Sequence, residues 1–167
     1  MKIREEAASD VAAIRDVNRA AFGTDSEARL VDLLRDRAAP IVSLVAEHAG
    51  AIVAHICFSP VTLSGHDDLN LMGLAPMAVL PSEQRRGIGS ALVRAGLERC
   101  ADLSCAAVVV LGHPEYYPRF GFVPASRFGI GSEYEVPDDV FMVLELQPGR
   151  LRGRSGTARY HPAFAMV

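Results

Sequence analysis

The sequence predicts one α/β domain built on a mixed β-sheet, with antiparallel strands first and a central parallel βαβ unit after them. Three observations lead to this fold class. Segment 41–79 contains three runs of β-branched or alternating apolar residues, separated by turn signals. A predicted helix from Gly87 to about Leu103 is apolar over most of its surface. The run Ala106–Leu111 is continuously apolar, as in a strand covered on both faces.

Length and composition set the broad class of the protein. Its 167 residues suffice for one domain with a substantial core. The formal net charge of −3 provides no overall basic field that would favour nucleic acid. No apolar run approaches the roughly 20 residues that span a bilayer, and the first residues lack the apolar core of a signal peptide. We therefore expect a cytoplasmic protein without a nucleic-acid or membrane partner.

The cysteines and histidines indicate neither a disulfide framework nor a metal site. The chain has three cysteines and five histidines. Cys57, Cys100 and Cys105 form no Cys-x-x-Cys pair, so we expect reduced and mostly buried thiols. The histidines are scattered without the usual ligand spacing. We therefore expect no stoichiometric metal.

The first predicted elements are a strand and two helices. Lys2–Ala7 is predicted to be the strand, and Ser9 offers an N-cap to the first helix. That helix carries apolar residues at helical spacing and ends at Phe22-Gly23-Thr24. A second helix is predicted over Ser26–Arg37. Two alternatives stay open for the pair, which lies either over the active-site cleft or only over one face of the sheet.

Three strands follow, and their order predicts an antiparallel meander. They cover Ile41–His48, Ala51–Leu63 and Asn70–Val79. Gly50 and the polar segment Ser64–Asp68 provide the turns. The third strand contains Gly73 and Pro76, which weaken a ladder from within. They predict either a bulge that parts this strand from its neighbour or an ordinary edge irregularity.

The βαβ unit and the rest of the chain complete the fold. The strand before the buried helix and Ala106–Leu111 after it are predicted to be parallel. Gly112-His113-Pro114 ends that second strand, and a short helix follows that ends at Gly121. Phe141–Leu146 is the last clear strand. Residues 150–167 are predicted to be an irregular tail whose aromatic residues dock on the body of a single domain that spans 1–167.

The turn after Val79 carries the most specific local pattern, Gln84-x-x-Gly87-x-Gly89. Glycine lets the backbone approach a ligand closely, and the N–H groups of a first helical turn form an anion site. The spacing differs from that of a Walker loop, which needs a lysine, and of a dinucleotide fingerprint, whose third glycine would fall at Leu92. The pattern therefore predicts a phosphorylated cofactor held by the main chain. A turn with solvated arginines is the alternative.

This pattern resembles the pyrophosphate loop of the GNAT superfamily of N-acetyltransferases, which bind acetyl-coenzyme A (acetyl-CoA). Tyr117-x-x-x-Gly121-Phe122 is similar to a second signature of that family, and Gly-His-Pro-Glu-Tyr-Tyr looks like a bacterial subgroup of predicted acetyltransferases. The resemblance spans most of 2–146. It implies a GNAT-like acyl-CoA N-acyltransferase fold with a splayed strand pair, and acetyl-CoA as co-substrate. The cofactor-binding residues that it implies are Met77, Ala78, Val79, Gln84, Arg85, Arg86, Gly87, Ile88, Gly89, Ser90, Tyr117 and Phe120.

Acetyl transfer needs an oxyanion stabiliser, a proton for the leaving thiolate and a neutral amine. A backbone N–H near Met77 or Ala78 is the candidate for the first role, and Tyr117 for the second, since a phenol stays protonated at neutral pH. His113 is the leading candidate for the base. His55, Glu115 and His161 stay open. Many family members carry an asparagine near Gly112 or His113, and without it His113 or the backbone must contact the pantetheine arm.

These residues predict an enzyme that moves an acetyl group from acetyl-CoA to a primary amine of a small molecule or peptide by direct transfer. One alternative is a non-catalytic acyl-CoA sensor or interaction module, which would also need Gly87 and Gly89. Another is a cysteine hydrolase that uses Cys57 with His55, although no third orienting residue is evident. The expected partner is the amine acceptor, and assembly as a homodimer stays open.

Overall fold

The structure, a computed structural model, describes every residue from Met1 to Val167. Its residues group into two compact units. Unit 1 comprises Met1–Ser59, Ala75–Arg99 and Pro162–Val167, and unit 2 comprises Pro60–Leu74 and Cys100–His161. The chain passes between the units within β3 (Ala51–Leu63), β4 (Leu71–Val79) and α3 (Ile88–Asp102). None of the helices has both the length and the apolar character needed to cross a membrane.

Unit 1 begins with a strand and two helices at the predicted places. β1 covers Lys2–Glu5, α1 covers Val11–Phe22 and α2 covers Ser26–Arg37. A 3₁₀ turn at Ala8–Asp10 precedes α1, where the Asp10 carboxylate accepts the Ala7 N–H at 2.7 Å. Gly23 ends α1 with a φ of 74°, a left-handed conformation that favours glycine.

The strands of unit 1 pair antiparallel. β2 (Val42–His48) pairs with β1 on one side and with β3 on the other, from Val42 opposite Phe58 to His48 opposite Ala51. The turn between β2 and β3 consists of Ala49 and Gly50, both at positive φ, as a two-residue hairpin turn requires.

Successive residues of β3 point to opposite faces, and different helices cover those faces. Cys57 packs with Leu30 and Leu34 of α2. A Cβ on Gly96 of α3 would overlap the Phe58 ring, so α3 packs on the face that carries Phe58. Helix α2 therefore covers the face of the sheet that carries Cys57, and α1 also packs against β2.

In unit 2, the start of β4 pairs in parallel with β5 (Ala107–Leu111), from Leu71 opposite Ala107 to Gly73 opposite Val109. The ladder stops at Gly73, although both strands continue. β5 also pairs antiparallel with β8 (Phe141–Glu145), which pairs with the short β6 (Val123–Pro124). The predicted parallel βαβ unit and the splayed strand pair are both confirmed.

The tail differs from the prediction. Gly156–Arg159 form a strand, β9, which pairs antiparallel with Thr62 and Leu63 of β3 and parallel with β7 (Ile130–Ser132). The prediction of an irregular segment is wrong here because partner strands, not local propensity, stabilise so short a run. Docking of the last residues does occur, since Ala163 and Phe164 pack against the Leu30–Leu34–Cys57 cluster of unit 1.

Candidate active site

The turn after β4 lies in unit 1 and is hydrogen-bonded to both β3 and β4. The Leu80 N–H donates to the Val53 carbonyl at 2.9 Å, and the Gln84 side-chain amide donates to the Val79 carbonyl at 3.0 Å. Pro81–Glu83 form a 3₁₀ turn between these contacts. Of the predicted cofactor residues at the end of β4, Ala78 is buried, whereas Met77 and Val79 are half-buried. Gln84 therefore fixes the turn to the strand that precedes it.

The backbone conformation explains why one of the two glycine positions of the turn, residue 87, is occupied by glycine. Gly87 has a φ of 82°, and Arg85 two residues earlier has a φ of 63°. No protein atom lies within 4 Å of a Cβ placed on Gly87, so this glycine provides a left-handed conformation beside open space. α3 begins at Ile88, and the Ala91 N–H donates to the Gly87 carbonyl at 3.0 Å. The helix N-terminus is therefore a suitable anion site beside an exposed turn.

The two arginines add positive charge to this turn. Both are exposed, and Arg86 forms a 3.3 Å ion pair with Glu83 three residues earlier. An exposed pair of this kind is weak, so an incoming anion can compete with Glu83 for the guanidinium. Gln84, Arg85, Arg86, Gly87, Ile88, Gly89 and Ser90 are thus contiguous in one turn and one helix start.

The second predicted motif lies in unit 2, where Tyr117 begins a 3₁₀ helix, Tyr117–Phe120. Gly121 ends it with a φ of 100°, and its N–H donates to the Pro118 carbonyl at 3.0 Å. Rings surround the Tyr117 side chain at centroid distances of 5.0 Å for Tyr116, 6.3 Å for Phe120 and 5.7 Å for Phe122. Tyr117 is only 7% exposed. Burial, with a smaller contribution from Tyr116, raises the pKa of its phenol to about 12, so the phenol is protonated at neutral pH.

Gly112 leaves the space that the Tyr117 ring occupies. A Cβ placed on Gly112 would lie 2.8 Å from Cδ2 of Tyr117 and closer still to its Cε2. Any side chain at residue 112 would therefore displace the Tyr117 ring.

His113 begins the turn that carries Tyr117. Its carbonyl accepts the Tyr116 N–H at 3.1 Å and the Tyr117 N–H at 3.4 Å. The His113 and Glu115 side chains are exposed. His113, Tyr117 and Phe120 are thus the three predicted site residues that unit 2 brings together.

His55, an alternative base, belongs to a buried polar network in unit 1 that the sequence did not reveal. Its Nε2 lies 2.8 Å from the oxygen of the Ser43 hydroxyl, whose single proton is donated to Glu6, and its Nδ1 lies 3.4 Å from the Asn18 amide. His55 has no exposed surface. Burial, helped by the charge of Arg35, lowers its pKa to about 3. Its contacts indicate a structural role.

The structure does not support the cysteine hydrolase alternative, because Cys57 is unsuited to act as a nucleophile. Burial raises the pKa of the Cys57 thiol to about 12, so almost no thiolate forms at neutral pH. Cys57 is packed among apolar side chains of α2 and the tail. All three cysteines are free and buried. No group of three or more histidine, cysteine, aspartate or glutamate side chains could hold a metal ion.

Residues 11–122 match the family model described as Acetyltransferase (GNAT) family. The chain belongs to the GNAT acetyltransferase family. It is 42% identical over 154 residues to the uncharacterized N-acetyltransferase YjhQ of Escherichia coli K12, covering 87% of this chain and 85% of YjhQ. It is 35% identical to the uncharacterized N-acetyltransferase YhbS of the same strain, covering 98% of both chains.

Two crystal structures of GNAT acetyltransferases have the same fold. E. coli YhbS in complex with CoA matches with a TM-score of 0.92 and 35% identity, over 98% of this chain and 91% of that one. A GNAT acetyltransferase from Brucella melitensis in complex with acetyl-CoA matches with a TM-score of 0.81 and 36% identity, over 98% and 97% of the two chains. The predicted family, fold class and enzyme class are confirmed.

Buried neutral His55 makes the stability of this GNAT acetyltransferase depend on pH. Its pKa is lower in the folded chain than in the unfolded one. The contribution of His55 to the free energy of unfolding is therefore fully present above about pH 6.5 and is lost progressively as the pH decreases toward about 3. The slope from this group approaches about 1.4 kcal/mol per pH unit. Chemical denaturation between pH 7 and 4 should show a shallower loss for His55→Gln than for the parent protein. His48→Gln, at an exposed position of the same unit, is the control, and equal slopes for all three proteins would contradict the expectation.

Proposed function

We propose that this chain transfers the acetyl group of acetyl-CoA to a primary amine of a small molecule or peptide, within a single domain spanning 1–167. Acetyl-CoA is the donor, a role supported by the Brucella relative, whose structure is a complex with acetyl-CoA. The observation that carries the proposal is the turn at 84–90, in which the exposed Arg85 and Arg86 directly precede the N-terminus of α3. These groups suit the pyrophosphate of CoA. The main chain of Met77, Ala78 and Val79 is assigned to the pantetheine arm and the oxyanion, and Phe120 to a further contact with CoA.

Tyr117 is assigned the role of general acid. The neutral amine attacks the thioester carbon, the tetrahedral intermediate collapses and the C–S bond breaks. The thiolate takes the Tyr117 proton, and solvent later restores it. A pKa of about 12 supports this role, because the phenol is fully protonated before the step and the acidity of a thiol lies within a few units of it.

His113 is assigned the role of base, and it accepts a proton from the acceptor's ammonium group through water. Its support is its position at the start of the turn that holds Tyr117, together with its exposed ring. The acceptor nitrogen loses two protons, one from the ammonium group before the attack and one from the tetrahedral intermediate, whereas the thiolate takes up only one, so the reaction releases one proton to solvent overall.

The experiment that tests the activity is a thiol-release screen with acetyl-CoA across polyamines, amino acids, aminoglycosides and peptide N-termini. We expect one class of amine to release CoA well above the rate of hydrolysis, with the acetylated product visible by mass spectrometry. Tight acetyl-CoA binding without turnover on any amine would favour the sensor alternative instead.

His113→Gln tests the base. With the best acceptor from the screen, we expect kcat/KM to fall on the order of 10²-fold, at the lower end of general-base effects. The loss should shrink as the pH rises, because the free amine then forms without help. Glu115→Gln, at the other exposed candidate in the same turn, is the control and should keep the parent profile. A uniform loss at all pH values for His113→Gln would contradict the assignment.

A further inference from the structure

Unit 2 contains a cavity of about 240 Å³ beside the loop that connects β7 to β8. Its walls are formed by Ser126, by β7, by residues 134–138 of the loop and by Phe141 at the start of β8. Complete small-molecule pockets span roughly 300–1,000 Å³. The cavity is therefore of a size that receives one part of a ligand rather than a whole cofactor.

The side chains that line the cavity combine carboxylates with aromatic and apolar surface. Glu135 and Asp138 are exposed, and neither forms an ion pair. Tyr134 and Val136 are large apolar side chains that stay 41% and 37% exposed. Residues 133–139 contain four carboxylates and no basic residue. Unpaired carboxylates beside an aromatic ring are suited to an organic cation.

The sheet register brings the cavity next to the segment that holds the proposed acid. Phe141 lies opposite Leu111 in the β5–β8 ladder, and the Gly112 N–H donates to the Val140 carbonyl at 2.9 Å. The Tyr117 ring packs against Gly112. The backbone that lines the cavity and the backbone that Tyr117 contacts are therefore neighbours in one sheet, where strands lie about 4.8 Å apart.

The charge of the cavity determines which part of an acceptor it can bind. A nearby carboxylate raises the pKa of an amine, because it stabilises the ammonium form. The amine that attacks the thioester must be neutral, so Glu135 and Asp138 are unsuited to bind the reacting nitrogen. They are suited to a further ammonium group on the same molecule, which stays charged throughout the reaction.

We propose that this cavity binds a second positive charge of the acceptor, so that the substrates are amines with at least two cationic groups. The inference rests on the proposed function and on the role of Tyr117 in it. The reacting amine lies toward Tyr117, and the group that stays charged lies among Glu135, Asp138 and the Tyr134 ring. Both a diamine and a peptide with a basic side chain have this chemistry. Amines that carry a carboxylate or phosphate group are repelled by the same residues.

The test compares acceptors that are matched except for the second charge. One pair is 1,5-diaminopentane and pentylamine, and the other is a peptide with a lysine next to its N-terminal residue and the same peptide with glutamine there. At saturating acetyl-CoA, we expect the doubly charged member of at least one pair to have a kcat/KM about tenfold higher, the combined effect of two exposed ion pairs. The advantage should shrink as the salt concentration rises, because salt screens exposed charges. The pair that shows the advantage distinguishes a diamine from a peptide.

The double variant Glu135→Gln/Asp138→Asn removes both charges at nearly constant shape. It should lower the ratio of the two kcat/KM values by about fivefold or more, while circular dichroism and the calorimetric affinity for acetyl-CoA stay at the parent values. Either single substitution should shift the ratio in the same direction, and replaces the double variant if that fails to fold. Asp139→Asn removes a charge of the same loop that does not line the cavity, and should keep the parent ratio.

The outcomes separate this inference from the proposed function. Equal kcat/KM values within both pairs, turnover confined to amines without a second positive charge, or an unchanged ratio in the folded double variant would overturn this inference alone. A protein that releases no CoA with any amine of the wider screen would overturn the proposed function as well.

Discussion

Replacing Tyr117 with phenylalanine is expected to lower kcat on the order of 10²–10⁴-fold, the usual contribution of a general acid. Tyr117→Phe keeps the ring, and with it the packing against Phe122 and over Gly112. Only the hydroxyl is lost, so the fold and the affinity for acetyl-CoA should be preserved. The loss should appear in kcat more than in KM, because the proton is needed in the transition state. Steady-state kinetics with the best acceptor from the screen, under conditions where chemistry limits kcat, measures it.

Tyr116→Phe is the matched control for this experiment. Tyr116 lies next to Tyr117 and packs edge-on against it at 5.0 Å, and Arg119 lies 4.3 Å above its ring. Removing its hydroxyl leaves these ring contacts in place, so we expect a much smaller effect on kcat. A Tyr117→Phe enzyme that turns over at the parent rate would show that Tyr117 only packs and that the thiolate takes its proton from water.

Gly89→Glu is expected to abolish measurable binding of acetyl-CoA. Gly89 is the second residue of α3, and a carboxylate there would face the pyrophosphate at the helix N-terminus. The same carboxylate interacts favourably with the helix dipole, so the substitution should not unfold the chain. Calorimetry measures the loss of affinity, and circular dichroism checks the fold.

Ala101→Glu introduces the same charge at an exposed position near the other end of α3. We expect it to bind acetyl-CoA with the parent affinity, since it lies away from the helix start. Retained affinity in Gly89→Glu, or equal losses in both variants, would contradict the assignment of the pyrophosphate to this turn.

The sequence was sufficient for the elements whose residues interact locally. Several elements depend on residues close together in the chain: the hairpin at Gly50, helices α1 and α2, the turn before α3 and the short Tyr117–Phe120 helix. Spacing and turn chemistry therefore predict them. The parallel pairing of β4 with β5 could also be predicted, because a buried helix between two strands allows few other connections.

Contacts between distant residues could not be predicted. No local pattern links Ser43 to His55 or to Asn18, so a histidine that was a candidate base is instead a buried structural group. Short β9 has little strand propensity of its own, and its pairing with Thr62 and Leu63 exists only because those partners are already in place.

The sequence by itself determined the family, the order of the main elements and the two motifs, because each depends on residue types at fixed short spacings. Only the tertiary structure decided why residue 112, beside the Tyr117 ring, and residue 73, beside the Tyr160 ring, must be glycine. These features depend on a ring from one segment occupying the space that a side chain of another would need. Such exclusion is a property of close packing between distant parts of the chain, and no pattern along the sequence records it.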